Sequence, residues 1–75
     1  RPVFMSGQVA KTGAFPYQPG LTVLRAITIA GGFAPRADEK KLYIQKEDNP
    51  GQLIQVGPNT FVEPGDIISV GESFF

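Results

Sequence analysis

One stretch, from Leu21 to Phe33, combines a helical period with a start signal and a stop signal. Thr22 suits the N-cap, because its hydroxyl can accept a hydrogen bond from a free N–H of the first turn. Gly31-Gly32 supplies the stop, since glycine adopts positive φ without a Cβ clash. The sequence therefore predicts one amphipathic helix at about residues 22–31. Its apolar stripe has i, i+3, i+4, i+7 spacing, formed by Val23, Ala26, Ile27 and Ala30, with Leu24 widening it.

A helix of about eight residues is roughly 12 Å long and too short to stand alone in water. The rest of the chain supplies strands that could cover its stripe. These are predicted at 1–9, 14–17, 42–47, 52–56 and 67–70. The grouping predicts an α+β fold, a β-grasp in which a mixed, twisted sheet holds the helix on one face. A small barrel with an incidental helix, or a half-domain completed by further chain, are the alternatives.

Several local features refine this prediction. Gly7 indicates a bulge or a close backbone approach, and Pro16 indicates an edge strand. Residues 34–41 are polar and are predicted to be irregular, with one helical turn at most. Residues 48–51 predict a type II turn. In the return strand that follows, Ile54 and Val56 are expected to point inward.

Composition removes several classes of function. Seventy-five residues make one domain, expected to span 1–75. The net charge is zero, so the domain has no electrostatic footprint for nucleic acid. Cys and His are both absent, which removes thiolate chemistry and the commonest general base. No apolar run reaches the 18 or so residues of a membrane span. Because the chain begins at Arg1 rather than Met, we expect a piece of a longer protein.

The carboxylates do not predict a catalytic or metal site. A Ser/His or Cys/His nucleophile cannot be built from this chain. The acidic residues all fall in turns or tails, and Asp66 is expected to cap turn N–H groups after Pro64-Gly65. A metal site would need Asp66 to meet Glu63 or Asp38 in space, which the sequence does not indicate. We therefore predict no catalytic residue, no cofactor and no metal.

The aromatic residues are the better candidates for function. Phe15, Phe33 and Phe61 are expected to fill the core. Aromatic side chains on the less apolar strand faces could form a docking or sugar-stacking surface. The terminal aromatic pair could fold back on the domain or insert into a neighbour, and the basic residues Arg36, Lys40 and Lys41 could bind an anionic partner or form a solvated loop. The candidate glycan or partner contacts are Phe4, Tyr17, Tyr43, Arg36, Phe74 and Phe75.

Six blocks of the chain carry a resemblance to a known family. The first four are Val3–Val9, Lys11–Tyr17, Pro19–Leu24 and Ala30–Phe33, and the last two are Val62–Val70 and Glu72–Phe75. In this order they resemble the soluble-ligand-binding β-grasp domain, SLBB. More narrowly, they are similar to that domain in bacterial outer-membrane polysaccharide export proteins of the Wza type. The matched glycines and prolines have structural roles, so no binding residue of the family is carried over.

The resemblance implies a non-catalytic module at the C-terminal end of a longer periplasmic protein associated with the outer membrane. It implies ring assembly and a passage for capsular polysaccharide or exopolysaccharide. The implied partners are other subunits of the same protein, the polysaccharide chain and an inner-membrane polysaccharide co-polymerase, with no nucleic acid. A small-ligand or carbohydrate-binding module is the alternative. The isolated domain is expected to be monomeric or weakly associated.

Overall fold

The computed structural model describes residues 1–74, apart from the side chain of Pro50. These residues form five strands and one helix: β1 (Val3–Gly7), β2 (Gly13–Phe15), α1 (Val23–Ile29), β3 (Ala37–Lys46), β4 (Asn49–Gln55) and β5 (Ile67–Glu72). The strands form one sheet in the order β2-β1-β5-β3-β4. The central pair β1–β5 is parallel, and the other pairs in this part of the chain are antiparallel. The predicted α+β class is confirmed, and the mixed sheet with its short helix is a β-grasp-like arrangement.

The helix begins and ends where its local signals predict. The backbone N–H of Arg25 donates to Thr22 Oγ1 at 3.3 Å, which satisfies one free donor of the first turn. After Ile29 the chain turns through Gly31 and Gly32, both with φ of +92°. The N–H of Gly32 then reaches back to the Ile27 carbonyl at 2.9 Å, so the glycines close the last turn.

The apolar stripe of α1 lies on the sheet, with one correction. Val23, Ala26, Ile27 and Ala30 are all buried, as predicted. Leu24 does not widen the stripe and is exposed. It follows Val23 by roughly 100° around the helix axis, which carries it beyond the face that meets the sheet.

The core fills the space between α1 and one face of the sheet. Phe15 and Phe33 pack against it, as expected. Phe61 was expected there as well, but 70% of it is exposed. Phe61 forms an isolated bridge with Thr22, and in such extended chain successive side chains alternate. Val62 therefore points inward and Phe61 outward. The buried core residues are Val3, Met5, Val9, Leu21, Val23, Ala26, Ile27, Ala30, Leu42, Ile44, Val62, Ile68 and Val70.

The second hairpin differs from its prediction in two places. Residues 37–41 belong to β3 rather than to an irregular segment, because Ala37 pairs with Glu72 of β5, although the register shifts between Ala37 and Leu42. The turn lies at Glu47-Asp48, between the paired Lys46 and Asn49, and the predicted turn at 48–51 is wrong. Ile54 and Val56 point towards the core side as expected, because Ile54 pairs with the buried Ile44 and Val56 packs against the core, but 40% of Ile54 stays exposed. It lies on the edge strand, at the margin of the core that α1 covers.

Gly7 marks a close backbone approach, as predicted. Its φ is +83°, and a Cβ built there would lie 2.3 Å from the carbonyl oxygen of Val70. Only glycine therefore lets β1 run this close to β5. The β2 strand lies at the edge of the sheet, as Pro16 indicated. Within residues 1–74 no helix has the length and apolar character needed to cross a membrane.

Candidate contact surface on the open sheet face

The sheet has a second face, turned away from α1. Side chains alternate along a strand, so the residues between the core positions point to this side. The strand registers arrange them in two rows: Phe4, Ile67 and Gln45 in one, and Ser6, Ser69, Tyr43 and Gln55 in the other. We call these seven residues the open face. None of them is buried, which shows that no element in residues 1–74 covers them as α1 covers the other side.

The open face is uncharged and mixes aromatic with polar groups. Phe4 is 39% exposed, while Tyr43 is half-buried. The hydroxyls of Ser6 and Ser69 are 2.9 Å apart and share a hydrogen bond across the central pair of strands. The Gln55 amide donates to the Lys40 carbonyl at 3.3 Å. Such a surface can offer ring faces for stacking, and hydroxyls and amides for hydrogen bonding, without a charge to desolvate.

One end of the open face leads to the C-terminal segment. Lys41 lies two residues before Tyr43, on the same side of β3. Its ammonium donates to the Glu72 carbonyl at 3.1 Å and lies 5.0 Å from the ring centroid of Phe74. The Lys41 stem also passes over Gly71, where a Cβ would come within 2.6 Å of it. Lys41 thus holds an exposed aromatic ring beside the open face by a cation–π contact.

The structure brings together only some of the six predicted contact residues. Phe4 and Tyr43 share the open face, and Phe74 lies at its end. Tyr17 instead packs against the hydrophobic core. Arg36 reaches towards Glu72, with 3.9 Å between Nη1 and Oε1, and its side chain is mostly exposed. Phe75 lies outside the described residues.

Ile67, Ser6 and Ser69 were missed as members of this surface. Alternation along β1 and β5 does place each of them opposite the core positions. What the sequence lacks is the register, which sets Ser6 beside Ser69 and Ile67 beside Phe4. Because β1 and β5 are separated by most of the chain, no local pattern records that pairing.

The acidic residues form a structural cluster at another place. Asp66 is only 2% exposed, and its Oδ2 accepts from the Glu63 N–H at 2.9 Å and from Lys46 Nζ at 3.0 Å. The predicted turn-capping role of Asp66 is confirmed. Lys46 also donates to Glu63 Oε1 at 2.8 Å, and this hydrogen bond raises the pKa of Lys46 and lowers the pKa of Glu63.

The same cluster borders a shallow cleft of about 420 Å³, lined by Lys46, Glu47, Asp48, Glu63, Pro64 and Asp66. Arg1 crosses to pair with Glu47, so Arg1 and Lys46 together stand against four carboxylates, and the cleft keeps a net negative charge. Among the described residues, no group of three or more His, Cys, Asp or Glu side chains is arranged to hold a metal ion. The contacts explain how the turn at 63–66 is fixed against β3.

Two comparisons of the sequence with known proteins identify a family and a relative. The SLBB domain family matches residues 2–56, and the chain belongs to that family. It is also similar to the exopolysaccharide production protein ExoF of Rhizobium meliloti (strain 1021), with 53% identity over 38 residues. That alignment covers 51% of this chain and 9% of the relative, so the chain spans only a small part of the relative's length.

Proposed function

We propose that this chain is a non-catalytic contact module of a protein that exports polysaccharide. Membership in the SLBB family and the similarity to an exopolysaccharide production protein support the polysaccharide-related role. The open face supports the contact role, because it is uncharged, half-exposed and lined with aromatic, hydroxyl and amide groups. That face is the single observation on which the proposal depends.

The proposal also includes the cellular location and the partners of the parent protein. The parent protein works in the periplasm, associated with the outer membrane, and this domain contributes to ring assembly and to the passage. Its partners are other subunits of that protein, the polysaccharide chain and an inner-membrane polysaccharide co-polymerase. The domain acts through surface contact, and the charged cluster of Lys46, Glu63 and Asp66 is engaged in holding a turn.

Replacement of the two aromatic residues of the open face tests this proposal. In cells that depend on the full-length parent protein, the double variant Phe4→Ala, Tyr43→Ala is expected to lower polysaccharide export severalfold. The control is Phe61→Ala, because Phe61 is a more exposed aromatic residue that lies away from the open face. Circular dichroism and urea unfolding verify that both variants fold. Unchanged export by a folded double variant would refute the contact role.

A carbohydrate-binding module is the second candidate, favoured by aromatic rings beside the Ser6–Ser69 hydroxyl pair. Titration of the ¹⁵N-labelled chain with oligosaccharides of the exported polymer separates the two. A binding module is expected to give saturable shifts confined to Phe4, Tyr43 and their neighbours. An absence of shifts, together with lost export in the double variant, assigns the open face to contact with a protein subunit.

A further inference from the structure

Two lysines in residues 1–74 are half-buried, and they differ in what compensates their charge. Lys46 donates to Glu63 and to Asp66, so two carboxylates face its ammonium. Lys41 forms no ion pair with a carboxylate in this part of the chain. A partly desolvated ammonium is costly unless an anion faces it. Lys41 is therefore a half-buried cation whose charge residues 1–74 leave uncompensated.

The structure nevertheless fixes the position of the Lys41 ammonium. Gly71 has no side chain, so the Lys41 stem lies over β5, where an added Cβ would come within 2.6 Å of it. The ammonium donates to the Glu72 carbonyl at 3.1 Å and lies 5.0 Å from the ring centroid of Phe74. The Glu72 carboxylate instead faces Arg36, with 3.9 Å between Oε1 and Nη1. These contacts hold the charge in place without neutralising it.

The ammonium of Lys41 can still donate to an anion in this arrangement. It carries three N–H donors; the Glu72 carbonyl accepts from one of them, and the Phe74 ring occupies a second direction. At least one donor is therefore left for an acceptor outside the domain. A carboxylate is the favoured acceptor, because a hydrogen bond between two ionised groups is about twice as strong as one between neutral groups.

The groups beside Lys41 indicate what carries that carboxylate. Tyr43 lies two residues further along β3, about 7 Å away, on the same side of the sheet. Ser69 lies opposite Tyr43, and its hydroxyl is hydrogen-bonded to that of Ser6. A sugar ring has an apolar C–H face that can lie on an aromatic ring, and a rim of hydroxyls that can meet the serines. The arrangement therefore suits a sugar that bears a carboxylate.

We propose that Lys41 binds the carboxylate of an acidic sugar residue, such as a hexuronate, while that residue lies against Tyr43 and the Ser6–Ser69 pair. This inference rests on the proposed function, because it takes polysaccharide as the partner of the open face. It adds the charge class of the polymer. Since the seven residues of the open face are all uncharged, Lys41 supplies the preference for an acidic sugar over a neutral one.

Titration of the ¹⁵N-labelled chain with a matched pair of oligosaccharides tests the proposal. The probes are trigalacturonic acid and its full methyl ester, which share the same rings and hydroxyls and differ in charge. Near pH 7 in about 20 mM salt, the acid is expected to shift the Lys41, Tyr43 and Ser69 amides saturably. It is expected to bind at least about fivefold more tightly than the ester, and about 300 mM salt is expected to reduce that preference.

Substitutions at two neighbouring lysines assign the preference to a residue. Lys41→Met keeps a stem over Gly71 and is expected to bind the acid and the ester equally, whereas Lys41→Arg is expected to keep most of the preference. Lys40→Met is the matched control, because it removes the same charge from an exposed lysine. Its preference for the acid is expected to change less than about twofold. Circular dichroism verifies that all three variants fold.

Three results would overturn the proposal. One is equal binding, or no saturable binding, of the acid and the ester by the unmodified chain. Another is the same loss of preference in Lys40→Met as in Lys41→Met, which would indicate a diffuse effect of charge. The third is tighter binding of a glutamate-rich peptide than of the acid at Lys41, which would assign the carboxylate to a protein partner.

Failure of this proposal can be distinguished from failure of the proposed function. If the open face contacts only neutral partners, the variant Phe4→Ala, Tyr43→Ala loses export while the unmodified chain shows no preference for the acid. If instead the open face has no role in export, the folded double variant exports normally, even where Lys41 gives the unmodified chain a preference for the acid.

Discussion

The two faces of the sheet are built from the same strands, yet they differ in nearly every physical property. The face beneath α1 contains only apolar side chains at its central positions, including Val3, Leu42 and Ile68, and all are buried. The open face contains aromatic, hydroxyl and amide groups, and none is buried. Alternation along each strand creates this contrast. Because the residues that stabilise the fold and the residues available for contact lie on opposite faces, substitutions on the open face can leave the buried core intact.

The neighbouring residues Ile68 and Ile67 provide the sharpest test of this separation, and the largest expected effect. Ile68→Ala leaves a cavity under α1 and is expected to cost about 2–5 kcal/mol of unfolding free energy. Ile67→Ala makes the same change on the open face, where the site is half-exposed, and is expected to cost less than about half as much. Urea unfolding measures both. Equal losses would mean that the open face is also a packed interior.

Gly7 tests what keeps the central strands together, with the next largest effect. Gly7→Ala forces a side chain into the left-handed region, at about 1–2 kcal/mol, and into the carbonyl of Val70, at 2.3 Å. Gly13→Ala is the control, since Gly13 has φ of +125° but no atom near its added Cβ. The Gly7 variant is expected to lose more stability in urea unfolding. If the two variants are equally stable, the approach of β1 to β5 is not limited by this contact.

The helix and its caps could be predicted from sequence because their signals are local. Thr22 and Gly31-Gly32 act within one turn of the residues they cap. The start of β3 was missed for the opposite reason. Residues 37–41 are polar and lack a strand pattern, and β3 reaches this far only because Ala37 pairs with Glu72 of β5, beyond a register shift between Ala37 and Leu42. The turn at 48–51 was wrong because Pro and Gly also occur in an edge strand.

In the candidate surface, too, features with a local sequence signal could be predicted, and features that depend on distant pairing could not. Phe4 and Tyr43 were placed correctly on a strand face away from the core. Tyr17 was not, because it follows Phe15 by two residues, and Phe15 pairs with the buried Val3. Pairing of β2 with β1 thus assigns Tyr17 to the core side. The meeting of Ser6 with Ser69, and of Lys41 with Phe74, depends on tertiary contacts that no local pattern contains.

Thr22 tests how firmly α1 covers its face, with a smaller effect. Thr22→Ala removes the oxygen that accepts from the Arg25 N–H and is expected to cost about 1 kcal/mol. Thr28→Ala makes the same change on the same helix, where the hydroxyl donates back to the Leu24 carbonyl. That bond adds no cap, and alanine has the higher helix propensity, so Thr28→Ala is expected to be neutral or slightly stabilising. A larger loss at Thr28 than at Thr22 would contradict the capping assignment.

The pH dependence at Lys46 has the smallest expected effect, and it concerns the contacts that fix the turn at 63–66 against β3. The pKa of Glu63 is lowered from its ordinary value of 4.5 by the hydrogen bond from Lys46. Its stabilising contribution is therefore complete above that ordinary value and is lost as the pH falls through the folded-state value. The pKa of Lys46 is raised from 10.5 by the hydrogen bond to Glu63. Its contribution is complete below 10.5 and is lost as the pH rises through the folded-state value.

Urea unfolding of the unmodified chain and of Lys46→Met at about pH 3, 7 and 11 measures this contribution. The stability difference between the two chains is expected to be greatest near neutrality and to shrink at both extremes. Lys40→Met is the control, because it removes the same charge from an exposed lysine whose ammonium is not paired with a carboxylate in residues 1–74. Its difference from the unmodified chain is expected to vary little with pH. If Lys46→Met behaves like this control, the contacts of Lys46 with Glu63 and Asp66 contribute nothing measurable, and the turn is held by the hydrogen bond from the Glu63 N–H to Asp66 and by the backbone.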